Sequence, residues 1–140
     1  MLESLSCFSS FPQEGEGAQR LEFSERLIVR EGVTCFSYKF HDDPSKDIAF
    51  VHVEAGAKTP LQEVIGGSRT VEGYMSGSGC FEMWSSTTSI KCYEVAPGVS
   101  FEIVVPQGWR MQWKADSNFN LVFYELCWPP YSDGRFRDLD

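Results

Sequence analysis

Residues 69–95, RTVEGYMSGSGCFEMWSSTTSIKCYEV, decide the fold class. The segment holds three short runs, 69–75, 79–84 and 89–95, separated by Ser76-Gly77-Ser78-Gly79 and by Ser85-Ser86-Thr87-Thr88. Runs this short, with small polar residues between them and almost no helical periodicity, predict strands joined by turns. A two-residue turn at Ser86-Thr87 would set Glu82 opposite Lys91, Met83 opposite Ile90 and Phe81 opposite Cys92, with charges paired on one face and apolar groups on the other. That register leaves Cys80 facing Tyr93, so a Cys80–Cys92 disulfide would need a slip of one residue.

The same pattern extends outward in both directions. Strands are expected at 26–30, 33–40, 48–54, 60–65, 100–105, 110–114 and 119–128, with a tight hairpin at Glu31-Gly32, where glycine accepts the positive φ of such a turn. Residues 41–47 read as a polar loop. About ten short strands at regular spacing imply an all-β sandwich or barrel. Residues 1–24 read as an N-terminal arm that packs locally, and residues 25–140 as a barrel with a C-terminal extension. After Trp128-Pro129-Pro130 the chain cannot continue a central strand, because proline lacks the ladder donor. A surface crossing with a short helical turn around 133–137 is expected there.

Composition narrows the function classes. The 140 residues include 20 acidic and 12 basic side chains, a formal charge of −8. That charge repels phosphate backbones, so neither nucleic acid nor an anionic membrane is an expected partner. No apolar run approaches the roughly 18 residues of a spanning helix, and Met1 to Phe8 lacks the basic start and apolar stretch of a signal peptide. The five cysteines form no CxxC pair, and an odd number cannot all be bridged within one chain. Reduced thiols and a cytoplasmic location are expected.

Two segments resemble the signature motifs of the cupins. Glu54-Ala55-Gly56-Ala57-Lys58-Thr59-Pro60 with Val71-Glu72-Gly73-Tyr74-Met75-Ser76-Gly77-Ser78-Gly79 is similar to the first, and Ala96-Pro97-Gly98 followed by Val105-Pro106-Gln107-Gly108-Trp109 to the second. The resemblance covers residues 26–130 and implies a double-stranded β-helix, or jelly-roll barrel, with a site inside it, often in a homodimer. In metal-binding members the first motif carries two histidines and a glutamate and the second a third histidine. Here those histidine positions fall on Gln62, Val64 and Met111, and Glu72 alone matches. One carboxylate, an amide and a thioether are a weak ligand set for first-row metals, so no metal and no cofactor are expected. His41 lies in a charged loop and reads as solvated. His52 shares a strand face with Ile48 and Phe50 and reads as structural.

The resemblance implies that Gln62, Glu72 and Met111 point into the barrel, and alternation carries Tyr74 and Trp113 to the same side. These five residues form the candidate site: an aromatic-lined pocket for a small organic ligand, a sugar or an organic acid, fixed by one carboxylate and one amide. Each also has a packing alternative. Met111 and Trp113 could fill the barrel, Gln62 could satisfy a strand end, and Glu72 could lie on a wet outer face. Glu125 shares a face with Leu121, Phe123 and Cys127; burial would raise its pKa and make it a proton donor, unless a basic neighbour makes it structural. Whether the chain is an enzyme stays open. The alternatives are an isomerase or epimerase using Glu72 and Tyr74 as base and acid, a metal-dependent oxygenase type using Glu72, Gln62 and His52 or Glu63, and an interaction module built on the aromatic arm.

Overall fold

Alternating side chains and frequent turns leave such a chain one way to bury its apolar faces, sheet against sheet. The computed structural model describes residues 20–131 and 134–140. In them the strands are β1 (Leu21–Arg30), β2 (Val33–Phe40), β3 (Asp43–Val53), β4 (Gln62–Val64), β5 (Arg69–Gly77), β6 (Gly79–Trp84), β7 (Lys91–Val95), β8 (Glu102–Val104), β9 (Arg110–Ala115), β10 (Leu121–Trp128) and β11 (Phe136–Asp138). They form two antiparallel sheets, ordered β1-β2-β3-β10-β5-β8 and β11-β4-β9-β6-β7. This is the expected all-β jelly-roll barrel. Among the described residues no helix is long and apolar enough to cross a membrane.

The core sits between the sheets. Val33, Val51, Val53, Tyr74, Leu121 and Phe123 from one sheet meet Val64, Phe81, Met83, Met111 and Trp113 from the other. Period-two alternation turns Ile48, Phe50, Val71, Tyr124 and Leu126 to the opposite face of the six-stranded sheet, where they form a second apolar cluster with Phe40. The Glu31-Gly32 hairpin forms as expected, with Arg30 opposite Val33 and Gly32 at φ 80°.

Four details differ from the sequence reading. The β6–β7 register is shifted by one: Phe81 faces Tyr93, Met83 faces Lys91, Glu82 faces Cys92 and Cys80 faces Glu94. A two-residue hairpin turn wants positive φ, and no non-glycine residue among those described adopts it. The connection instead runs through 85–90, closed by the Thr88 hydroxyl accepting from the Ser85 amide at 2.9 Å. Glu82 takes its cation from β9, pairing with Lys114 at 2.8 Å. Second, β3 begins at Asp43, which shrinks the expected 41–47 loop to a turn at His41-Asp42. Third, residues 136–138 form a strand paired with β4 where a helical turn was expected. Last, β1 begins at Leu21, inside the segment read as an arm; residues 1–19 lie outside the described residues, as does the interaction-module reading built on their aromatics.

Gly73 shows how tightly the six-stranded sheet packs. It lies opposite Tyr124, and a Cβ placed on it would sit 2.0 Å from the tyrosine ring. Gly73→Ala should destabilise the fold by about 1–3 kcal/mol, the usual cost of overpacking, read as a lower urea midpoint with unchanged slope.

Candidate functional site

A cavity of about 520 Å³ opens within the barrel beside β10. Alternation places Phe123, Glu125 and Cys127 of β10 on its wall, Asp47 and Val51 of β3 beside them, and Gln62 and Asp138 of β4 and β11 across from them. A second concavity, about 630 Å³, lies between β5 and the 97–101 loop. Its one lining carboxylate, Glu102, accepts from the Tyr124 hydroxyl, whereas Glu25, Asp47, Glu125 and Asp138 all line the inner cavity.

Behind the cavity wall lies a carboxyl pair. Glu72 on β5 stands directly opposite Glu125 on β10, and Glu72 is 0% exposed. Thus Glu72 faces inward, which settles the face that alternation left open. The Trp113 indole Nε1–H donates to Glu72 Oε1 at 2.8 Å. The other oxygen, Oε2, has no partner unless a proton is present on the pair. Burial pushes the Glu72 carboxyl well above the usual range, and the Glu125 charge adds to this. Burial raises Glu125 too, while the hydrogen bond from Glu72 and the nearby Arg135 hold it down. Both carboxyls are thus pushed toward the protonated form, Glu72 the further of the two, and a proton on Glu72 would be donated to Glu125, which faces the cavity.

Arg135 is the basic neighbour. Its guanidinium is buried and donates to the carbonyls of Pro129 at 3.0 Å, Trp128 at 3.3 Å and Arg69, and to the Thr70 hydroxyl at 3.0 Å. Among the described residues no carboxylate pairs with it within 4.0 Å, so its charge acts on Glu125 and Asp47 at longer range. Glycine at 67 makes room for it, since a Cβ there would fall 2.1 Å from Nη1. Burial raises Asp47, against a hydrogen bond from the Tyr131 amide at 2.9 Å. Burial likewise pushes the Cys35 thiol up to about 11 and raises Cys127, so neither wall cysteine is a thiolate nucleophile at neutral pH.

The five residues expected to form the site do not all reach the cavity. Gln62 does, with its amide Nε2 donating to Asp138 Oδ1 at 3.0 Å. Glu72 and Trp113 form the layer behind Glu125. Trp113 is stacked on Phe123 at 4.6 Å and 9°, lies 4.7 Å from Phe81, and meets Phe101 edge-on at 5.9 Å. Thr59 fixes its backbone: the Thr59 amide donates to the Trp113 carbonyl at 2.9 Å, and the Thr59 hydroxyl accepts from the Trp113 amide at 3.0 Å. Met111, opposite Gln62, is buried in the core. Tyr74 shares the inner face, but its hydroxyl donates to the Gly77 carbonyl at 2.7 Å, which removes it as an acid partner for Glu72. Sequence reasoning reached Glu125 through alternation. Asp47, Asp138 and Arg135 carried no local signal, because long-range pairing brings them in.

The positions that hold metal in the resembled motifs do not fit one here. Gln62 is tied to Asp138, Val64 is a buried hydrocarbon, Glu72 is buried and bonded to the Trp113 indole, and Met111 is packed among apolar groups. His52 lies on the opposite sheet face, edge-on to Phe36 at 5.0 Å, and burial lowers its pKa. His41 Nδ1 lies 2.5 Å from Glu22 Oε1 in a turn. Glu63 pairs with Arg137.

No protein-family model and no curated protein matches the chain. Solved structures do. The capsular polysaccharide assembling protein CapF from Staphylococcus aureus superposes on 86% of the chain at a TM-score of 0.67 and 12% identity. Oxalate decarboxylase from Bacillus subtilis superposes on 83% at 0.68 and 18% identity. The chain spans only 34% and 30% of those two proteins. Pac13 from Streptomyces, a nucleoside dehydratase, was solved with uridine; it superposes on 90% of the chain and 92% of its own length, at a TM-score of 0.60 and 20% identity. These likenesses show that the chain has the cupin fold.

Proposed function

We propose that the inner cavity binds a small, uncharged organic molecule rich in hydroxyl groups, such as a sugar or nucleoside, with Glu125 as its principal polar contact and Gln62 as its second. The observation that carries this reading is the Glu125 carboxyl on the cavity wall, backed by the buried Glu72 directly opposite it. The cavity size falls within the roughly 300–1,000 Å³ of ligand pockets. Carboxylates are acceptors only, so they favour a ligand that brings donors. Glu25, Asp47 and Asp138 also line the cavity and repel anions, which sets aside the organic acids and keeps the sugars among the ligands weighed from the sequence. The uridine bound by Pac13 belongs to the favoured class.

Saturation-transfer NMR with uridine and free hexoses tests this. Contacts from sugar-ring protons are expected, with Glu125→Gln weakening the dissociation constant roughly ten- to hundredfold, as loss of a charge-assisted hydrogen bond implies. Equal affinity in Glu125→Gln, or no contact from either ligand class, counts against it.

A catalytic reading rests on the same carboxyl pair. One shared proton between two facing carboxyls equips Glu125 as a general base with Glu72 as the proton store behind it, in an isomerase or epimerase type of reaction. A homodimer belongs to the proposal as well. The edge strand β1 borders the cavity and exposes Phe23 and Ile28 on one face, by 59% and 62%, and Leu27 on the other, by 52%, apolar side chains along an edge, unpaired among the described residues, that a second copy would cover.

A further inference from the structure

The one-residue shift in the β6–β7 hairpin has built a second cluster, on the outer face of the five-stranded sheet. Phe81 and Met83 turn inward, so Cys80 and Glu82 turn outward, and Cys92 stands directly opposite Glu82. One donor atom each from Cys80, Glu82 and Cys92 lies within 4.8 Å of the other two. Lys114, opposite Cys80 on β9, places its Nζ 2.8 Å from Glu82 Oε1. Cys80 and Glu82 are half-buried and Cys92 is exposed, which gives an ion an open approach.

We propose that Cys80, Cys92 and Glu82 bind one zinc-class divalent ion, with water completing the tetrahedron. Two sulfurs and one carboxylate oxygen suit zinc and exclude magnesium or calcium, which want oxygen alone. Zinc–sulfur bonds of about 2.3 Å in a tetrahedron bring the sulfurs to about 3.8 Å apart, so the donors need to close by at most roughly 1 Å, a movement open to the exposed Cys92 side chain. The charges also balance: two thiolates and a carboxylate carry three negative charges, and the ion with Lys114 supplies three positive ones. Thiolate ligation displaces the thiol protons, so uptake releases protons and strengthens with pH. The site is independent of the inner cavity, because β6 turns its other face to the barrel.

Cobalt(II) titration of the reduced, metal-stripped chain at pH 8 is the test, followed by displacement with zinc. One equivalent with thiolate charge-transfer absorption is expected. The band should vanish in the Cys80→Ser/Cys92→Ser double variant, survive in Cys7→Ser and Cys35→Ser, and weaken at least tenfold in affinity in Glu82→Gln. Proton release on zinc addition, measured on the unmodified chain, gives a readout that does not depend on any variant folding. Absence of the band, a band retained in the double variant, or zinc uptake without proton release would overturn the proposal. So would recovery of a Cys80–Cys92 disulfide from chain kept under reductant, since the thiols would then be unavailable.

Discussion

Trp113→Ala is expected to lower the unfolding free energy by about 3–5 kcal/mol, the range for removing a buried aromatic, read by urea denaturation followed by far-UV circular dichroism. The indole is 1% exposed and stacked between rings of both sheets, so its loss opens a cavity that neighbouring strands cannot close without moving. It also removes the donor to Glu72 Oε1, leaving that buried oxygen without its hydrogen bond. Trp113→Phe separates the two effects. It keeps most of the stack and removes the N–H, and should cost about 1–3 kcal/mol for the orphaned acceptor. If the two variants lose equal stability, packing around the indole matters little and the Glu72 hydrogen bond carries the whole effect.

Glu72→Gln should be more stable than the parent chain at pH 8 and close to it near pH 4.5. The folded state holds a proton on Glu72 that the unfolded chain releases above its ordinary pKa of 4.5. Stability from this group is therefore fully present below that pH and falls as pH rises toward the elevated folded value, by about 1.4 kcal/mol for each unit of separation. Glutamine mimics the protonated acid: its amide donates to Glu125 and its oxygen accepts from Trp113, with nothing to titrate. Denaturation midpoints of both chains across pH 4.5–8 give the slope directly, and the difference removes contributions from other carboxyls such as Asp47. Parallel pH profiles would show that Glu72 is ionised at neutral pH, and the shared proton would then be absent from the site.

Local chemistry made much of this legible beforehand. Glycine after Glu31 announced a tight hairpin, and alternation in 110–114 put Met111 and Trp113 on one face, as it did Leu121, Phe123, Glu125 and Cys127. The cupin resemblance matched Glu72 to a barrel position, and Glu72 is indeed inside. The turn at Ser85 to Thr88 misled, because its serine and threonine side chains bond the loop's own backbone and lengthen it, a competition that strand periodicity does not register. Tyr74 illustrates a different limit: its face was readable from spacing, yet the partner of its hydroxyl was not.

The sequence by itself determined the all-β class, the glycine hairpin and which side chains share a face, because period two and backbone φ are properties of neighbouring residues. Only the tertiary structure decided that Glu72 meets Glu125, that Arg135 returns from the far end of the chain to offset them, and that Cys80, Glu82 and Cys92 converge. Those meetings depend on the register between strands distant in sequence, and register is fixed by how the whole set of apolar faces packs, not by any one strand alone.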